Sequence, residues 1–383
     1  MRRPLRMAAV ALVMVGVLAL TGCADLLDLD RKALIIAMGL DAGPSPASVQ
    51  VTVQYLVPAA GQGGGGGGGG SLLGGGTTSG ASVSPVTISA TGASVDDAVR
   101  RLRADTNLFF YLGNLGVVVL GQSLARQDVL APLEYFVRNG EVAESAEVVV
   151  AQGTAAALLR STNPSTSEGV GLPMFRMLTL AETVYYPVSP NVMWRFFSTS
   201  LGSARSGYAP LMAPSPQGPA FKVTGLALFR QGVLVGQLTD YQSDVADWLL
   251  KRTGFPDAIV TLGGATTPSA LRISRRSLTI RVRGPSEVAL GLDFSTSIRE
   301  SPGFIMDDRD VTPLEQDAAA QMTQQIRGVL DVLQADGVDA MNLADRVVAA
   351  YPSLAQDGWP SLFQRLRIDL SVTVHIYEAG RLT

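Results

Sequence analysis

One cysteine and one histidine in 383 residues narrow the chemistry before any motif is considered. A lone Cys23 allows no internal disulfide and no thiolate metal cluster, and a lone His375 removes most hydrolase chemistries, which lean on histidine or a metal. Positive charge is also in short supply. The 30 Lys and Arg are outnumbered by 33 Asp and Glu, so there is no basic field for nucleic acid. Only one long apolar stretch exists, at the N-terminus, and no second run approaches the roughly 18 residues of a membrane span. No catalytic, metal or cofactor-binding residues are expected, and the chain is not expected to be an enzyme.

The single cysteine has a specific setting. Arg2, Arg3 and Arg6 precede an apolar run, Met7 to Leu20, that closes on the lipobox Leu20 to Cys23. As a helix, such a run spans about 21 Å, short of the roughly 30 Å hydrocarbon core. It therefore reads as a cleaved lipoprotein signal peptide, residues 1–22. The Cys23 thiol would take a diacylglyceryl group and its freed amine an N-acyl chain, the only non-protein groups expected. Two or three acyl chains hold a protein on a bilayer where one does so only marginally. Without the three signal arginines, 27 basic side chains face 33 acidic ones, a net charge near −6.

After Cys23 the chain is long for one hydrophobic core, and two to three domains of mixed sheet and helix are expected, an α+β class. The proposed division is 23–165, 166–270 and 271–383. In the first, strands are expected at Ala33 to Met38, Val49 to Val57, Val83 to Ala90, Leu115 to Leu120 and Ala146 to Ala151. Helices are expected after Ser94, over Asp128 to Asn139 and over Thr154 to Ser161. A Gly-rich loop, 61–80, cannot order itself by burial, and it lacks the Lys-Ser/Thr of a phosphate loop. The middle segment turns Pro-rich, with two short helices and a hairpin, 221–238, turning at Gly232, then a helix from Asp240 to Lys251. The last carries two long strands, Leu271 to Arg283 and Glu287 to Arg299. A helix from Pro313 follows, with Met322, Ile326, Val329, Leu330 and Leu333 as its core stripe, then a closing strand containing His375 on its solvent face.

These pieces, in this order, resemble a known family, the Ger(x)C spore germination lipoproteins. The carriers are the lipobox, the first strand Lys32 to Asp41 with its Gly-hydrophobic-Asp ending, the second strand Val51 to Pro58, and Thr91 to Ala98 before a helix. They continue with Gly225 to Phe229 and Val235 to Leu238, then Gln334 to Asp336, Tyr351-Pro352, and Val372 to Ile376 with Gly380. The Gly-rich insert, Gly337 to Met341 and Leu112 to Asn114 depart from the family pattern. The resemblance implies a non-catalytic, lipid-anchored subunit of a GerA-type nutrient germinant receptor on the outer face of the spore inner membrane. It implies two integral partners, a permease-like subunit and one with soluble and membrane parts, with the bilayer itself held through Cys23.

Two rivals remain. A membrane-tethered solute-binding lipoprotein would deliver a small nutrient to a transporter and needs a cleft with convergent polar groups; Tyr185, Tyr186, Trp194 and Phe196 are its candidate aromatics. An envelope enzyme would use carboxylate pairs such as Asp96-Asp97 or Asp307-Asp308, the first of which reads as a helix cap and the second as loop.

Overall fold

A computed structural model describes residues 32–46, 48–56, 85–106, 108–143, 145–161, 169–181, 188–215, 220–263, 265, 267–300, 311–355 and 358–378. Cys23, the signal segment, the Gly-rich loop 61–80, Tyr185, Tyr186, Asp307, Asp308 and Gly380 lie outside them. Two sheets organise the chain, and the fold is α+β.

The first sheet is built around β1 (Lys32–Ala42), an almost unbroken apolar run buried along its length. β2 (Val49–Leu56) and β3 (Val86–Gly92) extend it antiparallel on one side. On the other side β4 (Phe109–Tyr111) and β5 (Val117–Gly121) pair in parallel with the first and second halves of β1. β6 (Glu147–Ala151) follows β5 in parallel. Both β5 and β6 are wholly buried, as parallel strands covered on two faces should be. On one face lie α1 (Val95–Ala104), the short α2 (Gln122–Ala125) and α3 (Leu130–Arg138), which contribute Val99, Leu102, Leu124, Leu133 and Phe136. The opposite face is covered by α4 (Ala155–Arg160) and α5 (Gly171–Leu180) through Leu158, Leu159, Met174 and Leu178. The caps follow the sequence: Ser94 accepts from the Asp97 amide and Thr154 from the Ala157 amide.

Residues 166–270, set apart above as a middle segment, divide between the two sheets. After α6 (Met193–Leu201), β7 (Ser206–Pro214) joins β6 at Leu211 and Met212. The hairpin β8 (Phe221–Arg230) and β9 (Val233–Thr239) then adds two antiparallel strands. The sheet thus runs β3-β2-β1-β5-β6-β7-β8-β9, with β4 beside β1. Strand alternation makes β8 a shared wall. Ala227 and Phe229 pack into the core of the first sheet, while Leu226 and Leu228 pack into the core of the second.

That second core is assembled from α7 (Asp240–Leu250), started by a Thr239/Gln242 capping box, and a four-stranded sheet, β10 (Ala258–Val260), β11 (Ser269–Gly284), β12 (Glu287–Glu300) and β13 (Arg367–Glu378). α8 (Thr312–Asp336) crosses between the parallel β12 and β13, with Met322, Ile326, Val329, Leu330 and Leu333 all buried. It stops at Gly337, whose φ of 65° suits glycine. The Gly337 and Val338 amides close back on Gln334 and Leu333, a Schellman ending. The segment Gly337 to Met341, unlike the family pattern, is thus a helix stop followed by the start of α9 (Leu343–Ala350). α10 (Trp359–Phe363) completes the core.

Candidate functional site

Where the two sheets meet, an open cleft of about 580 Å³ is lined by Asn191, Trp194, Arg195, Tyr208, Lys251, Arg252, Leu278, Ile280, Met341 and Asn342 among others. Its placement begins with the stretch before α6, which lies along β6: the Val148 amide donates to Asn191 O and the Met193 amide to Ala146 O. Asn191 is thereby fixed beside β7, where its Nδ2 donates to the Tyr208 carbonyl over 2.9 Å. Burial first, opposed by neighbouring Arg195, pushes the Tyr208 hydroxyl up to about 12.

Beneath the cleft runs a polar seam. Ser189 Oγ donates to Asp247, and Lys251 Nζ lies 3.6 Å from the other Asp247 oxygen one turn along α7, with both side chains almost fully buried. Desolvation outweighs Lys251 and lifts the Asp247 carboxyl to about 7. Asp244, one turn earlier, is lifted to about 6 by burial and then by the charge of Asp240. Arg276 of β11 donates to the Lys251 carbonyl and stacks over Phe255 at 5.3 Å. Asp247 and Asp244 do not line the cleft. The seam joins α7 to Ser189 and to β11 by hydrogen bonds.

Asp339, at the cleft wall, is already committed. Its oxygens accept the amides of Leu343 and Ala344 at 2.9 and 2.8 Å and the Trp359 indole N–H at 2.9 Å, while its own amide donates to Ser206 Oγ. It starts α9 and pins α10; burial still raises its carboxyl to about 6. The cleft presents the cations Arg195 and Arg252 and the carboxylate Asp345, with Ser198, Thr199 and Asn342, beside the apolar Trp194, Leu278 and Ile280. That combination offers hydrogen-bonding groups of both kinds and charges of both signs.

The residues singled out in the sequence separate. Trp194 is half exposed at the cleft, but Phe196 is fully buried and meets Phe229 edge-on at 5.0 Å, a core contact. Asp97 works at the start of α1: it accepts the Ala93 amide and bonds Arg100 and Arg101, which together hold its carboxyl below the usual range. His375 stands on the exposed side of β13, 3.2 Å from Asp293. Asn191 and Tyr208 carry no motif in the sequence; the Asp247/Lys251 spacing of four is visible there but reads equally as a surface helix pair. Among the described residues no group of three or more His, Cys, Asp or Glu could hold a metal ion, and no helix is long and apolar enough to cross a membrane.

Comparison with known proteins accounts for both halves. Residues 25–214, ending with β7, match the spore germination protein N-terminal domain. Residues 224–380, beginning within β8, match the spore germination B3/GerAC-like C-terminal domain. The spore germination protein YfkR of Bacillus subtilis (strain 168) is 22% identical over 382 residues, covering 95% of this chain and 94% of that protein. Spore germination protein B3 of the same organism is 25% identical over 243 residues, 61% of this chain and 58% of that one. The crystal structure of the GerBC protein superposes with a TM-score of 0.50 at 17% identity, over 89% of this chain and 97% of that one, a likeness of fold. With one family domain ending in β7 and the next starting in the strand hydrogen-bonded to it, the chain belongs to the Ger(x)C, or GerAC-like, family of spore germination proteins.

Proposed function

We propose that this protein is a non-catalytic, lipid-anchored subunit of a nutrient germinant receptor, held at the outer face of the spore inner membrane through diacylglyceryl and N-acyl groups on Cys23. There it supports assembly and signalling of the receptor. The observation that carries the reading is the match of both family domains in order over 25–214 and 224–380. The lipobox Leu20 to Cys23 ahead of β1 supports the anchor. The partners are a permease-like integral subunit and a second subunit with soluble and membrane parts. Tethering supplies the physical logic: a body held at the bilayer meets its partners at high effective concentration, so a weak interface stays occupied. Cys23→Ala is expected to abolish nutrient-triggered germination of spores while the exported protein still folds. Germination at the native rate with the unacylated form would overturn the reading.

A second reading, a tethered solute-binding protein, draws on one feature, the open, partly polar cleft of about 580 Å³. Calorimetry of the purified protein with candidate nutrients separates the two. Saturable one-to-one binding, lost on Arg195→Ala, favours solute delivery.

A further inference from the structure

The corner where the chain enters β1 carries exposed apolar side chains. β4 pairs Phe109 with Lys32, Phe110 with Ala33 and Tyr111 with Leu34, and Leu34 is in turn paired with Leu56 of β2. Paired residues project from the same side of a sheet. Ala33 and Phe110 therefore point into the core, where Phe110 meets Tyr55 at 6.1 Å, while Lys32, Leu34, Leu56, Phe109 and Tyr111 share the opposite face. Phe109 and Tyr111 are 43% and 38% exposed, and the two leucines are half-buried. Each ring has a cation beside it: Arg103 lies 5.9 Å from the Phe109 centroid and Lys32 5.9 Å from that of Tyr111.

Position gives this patch its occupant. Lys32 follows Cys23 by nine residues, a tether that extends at most about 30 Å. Any lipid on Cys23 therefore keeps the corner close to the bilayer surface. A tyrosine with its polar tip beside an apolar phenylalanine ring, flanked by Lys and Arg, is a composition that settles at headgroup level, rings among the upper acyl carbons and cations among phosphates. The tether itself contributes Asp25, Asp28 and Asp30 against Arg31, so the attraction to phosphate comes from Lys32 and Arg103 with Arg31 beside them.

We propose that the β1/β4 corner, through Lys32, Leu34, Leu56, Arg103, Phe109 and Tyr111, rests on the phospholipid headgroup layer and fixes which way the body faces on the membrane. The proposal rests on the lipid-anchored reading of Cys23. An acyl anchor alone leaves the body free to swing; a second contact, weak by itself, becomes effective once the first is made.

The test uses the full chain, purified from membranes and reconstituted in phosphatidylglycerol and phosphatidylethanolamine vesicles whose acyl chains carry bromine, a short-range quencher of tryptophan. Phe109→Trp puts an indole on the corner, and Tyr377→Trp puts one on the exposed side of β13. Relative to the native protein, the added emission of Phe109→Trp is expected to be quenched and blue-shifted, and that of Tyr377→Trp unchanged. A chain that floats with the vesicles but shows equal, unquenched emission at both positions overturns the docking face and leaves the anchor standing. Failure to float, with no lipid mass on Cys23, removes the anchor reading and the docking face with it.

Discussion

Asp41, next to last in β1, is almost fully buried, and both its oxygens serve another element: they accept the Ala155 and Ala156 amides at 2.7 and 2.9 Å, the free first-turn N–H groups of α4. The Gly39-Leu40-Asp41 stretch of β1 thus has a structural task, to pin a helix to the sheet across 114 residues of chain. Asp41→Ala leaves two buried donors unpaired and is expected to cost about 2–4 kcal/mol, read as a lower urea midpoint, with Asp41→Asn costing less. The Asp247–Lys251 pair behaves differently, because two nearly fully buried charges lie 3.6 Å apart. Lys251→Met alone should cost about 3–5 kcal/mol, whereas Asp247→Leu with Lys251→Met should recover most of that loss in the same denaturation experiment. The spacing of these residues was readable; their burial was not.

Among the elements, β8 shows how a short family string becomes a constraint. Gly225 opens the run to Phe229 with φ of 147°, and a Cβ there would sit 2.1 Å from the Leu238 carbonyl oxygen of β9. Gly225→Ala is therefore expected to destabilise by about 1–3 kcal/mol, with thermal unfolding as the measure, because backbone rather than a side chain must yield. The hairpin itself was legible from its turn, as were β1, β2 and the α8 stripe, since each carries its own period or stop signal. β7 was not. Pro210 and Pro214 argue against a strand, yet β7 meets β6 only at Leu211 and Met212, so on that side the missing N–H groups interrupt nothing. The three-residue β4 and β10 are too short to show alternation, and β4 is the strand on which the membrane-facing proposal stands.

At the scale of the whole molecule, the carboxyls of Asp41, Asp244, Asp247, Asp336 and Asp339 share one direction, raised in each case by burial first, with Asp244 and Asp339 lifted to about 6 and Asp247 to about 7. An acid whose folded value exceeds its unfolded value near 3.8 binds more protons when folded, so its contribution to stability is full below about pH 4 and is lost as pH rises toward 7. The melting temperature is expected to rise as pH is lowered from 8 to about 5.5. Asp247→Asn, which removes the group with the highest value, should flatten that slope. A melting temperature that falls steadily over the same interval in the native protein would contradict this arrangement.

Local order was written in the chain: apolar period, cap residues and turn glycines each act over a few residues, so they can be read in a line. How the segments share cores could not be read that way. Whether Leu226 and Ala227 face different hydrophobic cores, whether Asp247 and Lys251 are dry, and whether Phe109 and Tyr111 face out are settled by contacts between residues far apart in sequence. Burial is a property of the assembled layers, and only tertiary packing sets it.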